Sequence, residues 1–225
     1  MKIYQDEQFL LFDDSITEYS SMEENGLTPA LQRDPERAKA RILTILFGAN
    51  DATSETASND SHVPLGQYTE NLKAILSHPM IATQACRVLL ITPPPIDEHQ
   101  YEIKDINTGH PGLTRFSHLA KGYAAACIQV GESMGVPVLD LWSCLMKRAG
   151  WRGDDAILTG SKGEERNEIL SRLLSNGQCT FRARGCQLFY DGLMGFLSKT
   201  WPELMPQNLP YVFPTCHEFT GELEA

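Results

Sequence analysis

Basic residues are scarce in this 225-residue chain: 19 Lys and Arg stand against 29 Asp and Glu, a net charge of −10. The few cations are scattered rather than clustered, which argues against a nucleic-acid or anionic-membrane surface, because phosphates must be neutralised by grouped Lys and Arg. A small, neutral or apolar substrate fits better. No apolar run approaches the roughly 20 residues of a membrane span. The start, Met-Lys-Ile-Tyr-Gln-Asp-Glu-Gln, lacks the basic then apolar stretch of a secretory signal, so the expected location is cytoplasmic. The six cysteines (Cys86, Cys127, Cys144, Cys179, Cys186, Cys216) lack any zinc or Cys-x-x-Cys spacing. They read as reduced thiols used mostly as small core residues, with no metal or cofactor implied, and the Asn59-Asp60-Ser61 sequon is then idle.

The chain is rich in short apolar runs alternating with helical periodicity. Residues 9–12, 42–47, 88–92 and 136–139 are brief and largely apolar, as strands buried on both faces should be. Between them, residues 65–76 and 113–134 repeat apolar side chains at helical spacing, with Thr114 placed to cap the second helix and Gly135 followed by Pro137 to end it. This pattern predicts an α/β fold with a mostly parallel sheet covered on both sides, in one domain spanning residues 1–225 with a C-terminal tail at 202–225. Further helices are expected at 164–175 and 186–201, with a long surface loop over 150–163. Pro93-Pro94-Pro95 turns the third strand into a stiff loop. In an open α/β sheet the loops at the carboxyl ends of strands form the binding crevice, so this loop should meet those after Phe12 and Phe47.

Two of those strand ends carry residues suited to chemistry. In Phe12-Asp13-Asp14-Ser15-Ile16-Thr17-Glu18 an apolar strand enters a polar turn, where a serine Oγ is lifted into the crevice and its N–H is available to a developing oxyanion. Read alone, the segment is equally an Asp/Ser helix cap. In Phe47-Gly48-Ala49-Asn50-Asp51 a side-chain amide follows a strand and can serve as a fixed neutral donor; read alone, it is a turn.

Taken together, these segments resemble the serine and asparagine motifs of the SGNH (GDSL-type) ester hydrolases. The likeness extends to the isoamyl-acetate-hydrolysing esterase branch through Glu23-Glu24-Asn25-Gly26, His62-Val63-Pro64-Leu65, Tyr68-x-x-Asn71-Leu72, Leu90-Ile91-Thr92-Pro93-Pro94-Pro95-Ile96-Asp97-Glu98 and Leu209-Pro210-Tyr211-Val212-Phe213-Pro214. The resemblance implies a three-layer α/β/α, flavodoxin-like hydrolase without a metal, acting on short-chain acyl esters. Ser15 would be the nucleophile, and the Ser15 N–H and the Asn50 amide would hold the oxyanion. Asp14, Gly48, His62 and Pro94 would border the crevice.

The chain departs from that family at four places. Asp13 stands where a glycine is usual. Residues 27–41 are too few for the further edge strand and the oxyanion glycine expected there, so one edge strand is missing. Asn176 and Cys179 occupy the positions of the family's acid and base. A thiol is a poor base, because it ionises near pH 8.5 and offers no second nitrogen for an acid to orient. His62 and His217 are the histidines placed to substitute, whereas His78, His99, His110 and His118 read as helix-end, loop or surface residues. Loss of a triad base typically lowers kcat by about 10⁶. The expectation is therefore an impaired ester hydrolase; a non-catalytic binding fold and an acyltransferase on the same scaffold stand beside it. The aromatic tail is compatible with packing over the crevice or with a homodimer contact.

Overall fold

The computed structural model describes residues 7–13, 39–57, 61–83, 86–110, 112–153, 155–175 and 181–208, with the backbone alone at 7–13, 39, 40 and 80. Four parallel strands pair in the order of the chain: β1 (Glu7–Asp13), β2 (Lys39–Leu46), β3 (Arg87–Ile91) and β4 (Val138–Leu139). β1 lies at one edge and pairs, among the described residues, with β2 alone. All four strands end within a residue of their expected carboxyl ends, whereas β4 starts two residues later than expected: the Val136 N–H turns back to the Gly131 carbonyl of the preceding helix, and Pro137 has no N–H to give, its carbonyl accepting from Leu90 N–H.

The helices are α1 (Leu65–Leu76), α2 (Pro79–Thr83), α3 (Glu98–Asn107), α4 (Ser117–Met134), α5 (Leu141–Arg148), α6 (Glu168–Leu173) and α7 (Ala183–Thr200). They flank the sheet in two layers. Alternate side chains of the inner strands point to opposite faces. Leu43, Ile45 and Leu90 meet Tyr68 and Leu72 of α1 and Tyr123, Cys127 and Val130 of α4. Ile42, Leu46, Leu89 and Ile91 meet Leu141 and Leu145 of α5, Leu173 of α6 and Leu197 of α7, with Trp201 and Leu204 closing the end. Residues 42–46 of β2 are thus buried throughout, as a run covered on both faces requires. Each such aliphatic side chain contributes about 1.5–3 kcal/mol of burial.

Several local expectations are corrected. α4 begins at Ser117 rather than near Leu113, and Thr114 does not cap it: Phe116 holds the N-cap, and the Thr114 N–H and hydroxyl both donate to the buried Asp105 carboxylate (2.7 and 2.9 Å). The helix does end at Gly135, whose φ of 65° is left-handed and suits glycine. The helix expected at 164–175 shrinks to α6, because the Asn167 side chain caps Leu170 N–H (2.9 Å) and fixes a later start. α7 begins three residues before the expected Cys186, where Gly185 packs on the Leu173 carbonyl. Of the described cysteines, Cys127 alone is buried, while Cys86 and Cys144 are half-buried and Cys186 is exposed, so the core role assigned to cysteine holds only at Cys127. The expected loop at 150–163 carries no helix or strand among its described residues. The crossover segment of residues 14–38, Asn59 and Asp60 of the sequon, and the tail from residue 209 lie outside the described residues.

Candidate active site

The strand register brings the two motif-bearing ends together. Asp13, the last residue of β1, pairs with Leu46, the last residue of β2. Asp14 and Ser15 follow the first end and Gly48 to Asn50 the second. The described residues stop short of Ser15 and Asp14, as they do of Asn176, Cys179 and His217.

The loop after β2 is held tightly. Gly48 has a φ of +108°, and a Cβ there would lie 3.0 Å from the Tyr68 hydroxyl, so both the backbone and the neighbouring ring require glycine. The Tyr68 hydroxyl donates to the Phe47 carbonyl (3.1 Å). The Ala52 N–H donates to the Gly48 carbonyl (3.1 Å), and the Asn50 carbonyl accepts from both the N–H and the hydroxyl of Thr53 (3.0 and 2.7 Å).

Arg115, only 5% exposed, reaches into this loop from the strand-like residue that bridges Thr53. One guanidinium nitrogen donates to the Ala49 carbonyl and another to Asn50 Oδ1 (2.8 Å), while the group lies over the Tyr101 ring, 5.5 Å from its centre. Burial pushes the neighbouring Asp51 carboxyl above its usual range; its own backbone N–H and then the Arg115 charge partly offset this.

His62 sits on the same loop. Its Nδ1 is 2.6 Å from the Thr53 carbonyl, an acceptor only, so Nδ1 carries the proton. Its Nε2 is buried, has no hydrogen-bond partner among the described residues, and lies 3.6 Å from the Glu55 carboxylate. Beside it the Tyr123 hydroxyl donates to the Val63 carbonyl, and burial, reinforced by Asp51 and Glu55, pushes that phenol up to about 12.

Pro94 and Pro95, on the loop after β3, form a narrow cleft with Ile96, Tyr101, Leu174 and Ser175. The cleft therefore adjoins the point where the chain enters residues 176–180, which hold Asn176 and Cys179. A bridge between Leu174 and Phe181, with the Arg182 N–H on the Leu173 carbonyl (2.9 Å), pins both ends of that connection.

The buried carboxylates near the cleft are committed to structure. Asp97 caps α3 through the N–H groups of His99 and Gln100 and accepts from the Ser171 hydroxyl (2.5 Å). Glu98 accepts from the N–H groups of Ser117 (2.7 Å) and Lys162 (2.8 Å). Neither is free to serve as the acid of a triad. His78, His99, His110 and His118 fall in a turn, in the first turns of helices or at a helix end, as expected. Among the described residues no cluster of His, Cys, Asp and Glu is suited to a metal, and no helix is long and apolar enough to cross a membrane.

The sequence reading missed Arg115. The one signal was a lone arginine between the apolar Leu113 and Phe116 just ahead of a helix, which no spacing rule singles out.

Comparison with known proteins agrees with this architecture. The chain is 38% identical over 128 residues to a GDSL esterase/lipase of Arabidopsis thaliana, covering 55% of this chain and 52% of that one. It is 35% identical over 118 residues to the isoamyl acetate-hydrolyzing esterase 1 homolog of Mus musculus, covering 52% and 47%. The chain thus spans about half the length of these curated relatives. A solved structure from Streptococcus pneumonia, named for platelet activating factor, shares the fold with a TM-score of 0.53 at 16% identity, over 85% of this chain and 84% of that one. The sequence pattern of the GDSL-like lipase/acylhydrolase family matches residues 13–159, which include both strand-end motifs, and the chain belongs to that family.

Proposed function

We propose that this single domain is a carboxylic ester hydrolase that cleaves short-chain acyl esters slowly through Ser15, with the Ser15 N–H and the Asn50 amide as oxyanion donors. The observation that supports this reading is the pairing of Asp13 with Leu46, which sets side by side, at the carboxyl edge of the sheet, the two strand ends from which the motifs continue. The activities for which the family and the relatives are named point the same way. Asp14, Gly48, His62 and Pro94 would border the crevice.

Ser15 Oγ would attack the ester carbonyl carbon and pass its proton to a base. The tetrahedral intermediate would expel the alcohol, and water would release the acid. The low rate follows from Asn176 and Cys179 at the positions of acid and base: neither supplies an oriented imidazole. His62 is the described histidine whose state suits the task, since its protonated Nδ1 leaves Nε2 as the acceptor.

A second reading, a non-catalytic fold that binds an ester, acid or acyl group, is favoured by the same two substitutions. The test is the hydrolysis of a short-chain activated ester by wild type and by Ser15→Ala at equal concentration. Slow turnover that disappears in Ser15→Ala supports the hydrolase. Equal inertness of the two proteins overturns it in favour of binding, and esterification of an added alcohol by wild type would mark an acyltransferase instead.

A further inference from the structure

Arg115 is a large buried cation that the serine and asparagine motifs do not account for. Its two hydrogen bonds go to adjacent residues of one loop, the Ala49 carbonyl and Asn50 Oδ1. The backbone of that loop is already held by Ala52 N–H on Gly48, by Thr53 on Asn50 and by Ser54 N–H on the Thr114 carbonyl (2.8 Å). What the guanidinium adds to this backbone hold is a charged donor on the Asn50 side chain.

A guanidinium has donors only, so the amide must turn its oxygen toward Arg115 and its NH₂ to the opposite side. A charged donor on Oδ1 also draws electron density from the amide and makes its N–H bonds stronger donors. Burial of the cation strengthens that effect, since the local dielectric is low. The Tyr101 ring beneath the guanidinium, and Thr114 fixed on Asp105 next to it, hold Arg115 in place.

We infer that Arg115 is a positioning residue: it locks and polarises the Asn50 amide so that its NH₂ is presented to an acyl oxyanion. This rests on the hydrolase reading for its chemical purpose, though not for the orientation itself. It also bears on the missing oxyanion glycine, because fewer donors leave more of the oxyanion's stabilisation to Asn50.

The test is a double-mutant cycle on the full chain with Arg115→Met, Arg115→Lys and Asn50→Ala, read in ester hydrolysis. Removal of one oxyanion donor costs about 10²–10³ in kcat. Arg115→Met should therefore lose about 10- to 100-fold in kcat with KM changed less than about twofold, and Arg115→Lys should recover part of it. The double variant should be no slower than Asn50→Ala alone, because the arginine acts through the amide. A full multiplicative loss on the Asn50→Ala background, or wild-type kcat in Arg115→Met, overturns the inference.

A second readout does not need turnover. The side-chain amide pair of Asn50, assigned by its disappearance in Asn50→Ala, should move toward exposed-amide positions in a ¹H–¹⁵N spectrum of Arg115→Met and less so in Arg115→Lys. If wild type is inert, the hydrolase reading fails, and this spectrum still decides the positioning: an Asn50 pair unmoved in Arg115→Met overturns it.

Discussion

The two long helices on opposite sides of the sheet are packed to different standards: of 18 residues each, α4 buries eight and α7 two. Under α1 and α4 the large side chains are sealed: Tyr68, Leu72, Cys127 and Val130 are each about 1% exposed. On the other face the 18-residue α7 buries only Gly185 and Leu197, while Leu188, Phe189, Leu193, Met194 and Phe196 are only partly covered. The loop of Asn50 packs on the α1 side, through Gly48 against Tyr68, whereas residues 176–180 lead into α7.

Truncations on the two sides should differ accordingly. Leu72→Ala should cost about 3–5 kcal/mol in urea unfolding, near the upper end for a sealed leucine, and Leu193→Ala on α7 about 1 kcal/mol. Equal losses would break the comparison. Asp105→Ala should fall between them, about 1–3 kcal/mol, because it leaves the Thr114 N–H and hydroxyl buried without their acceptor. It should also loosen the approach to Arg115.

A smaller effect, of opposite sign, is expected at Asp51. Its folded pKa is raised by burial, so the stability it contributes is present below the ordinary carboxylate range and is lost as pH rises through the folded value. Asp51→Asn should flatten the melting temperature between pH 4 and 8 and match or slightly exceed wild type at pH 7. A fall in melting temperature at pH 7 would show that the attraction to Arg115 outweighs burial. Last, with no change in stability at all, alkylation followed by mass spectrometry should modify the exposed Cys186 well before Cys127, whose thiol burial pushes up to about 12.

The strands and the α1 helix were legible because their buried surfaces are apolar and periodic; α1 lies where residues 65–76 predict it. Three helices were not, the shortest being the five-residue α2. α3, Glu-His-Gln-Tyr-Glu-Ile-Lys-Asp-Ile-Asn, buries Glu98, Gln100 and Asp105 while exposing Ile103 and Ile106, so its inward face is polar and hydrophobic periodicity points the wrong way. α5 is eight residues long and starts two residues after β4, so the strand's apolar run hides its beginning. The serine and asparagine motifs could be read because each is a local strand-to-loop signal. Arg115 could not: its meaning depends on a contact with residues more than 60 positions earlier.

The bridge between Leu174 and Phe181 gives the approach to α7 one further property. It closes residues 175–180 into a small ring tied at its base, so a change in the ring's length costs little in closure entropy and does not displace α7. Such a connection can gain or lose a residue while the rest of the protein keeps its shape.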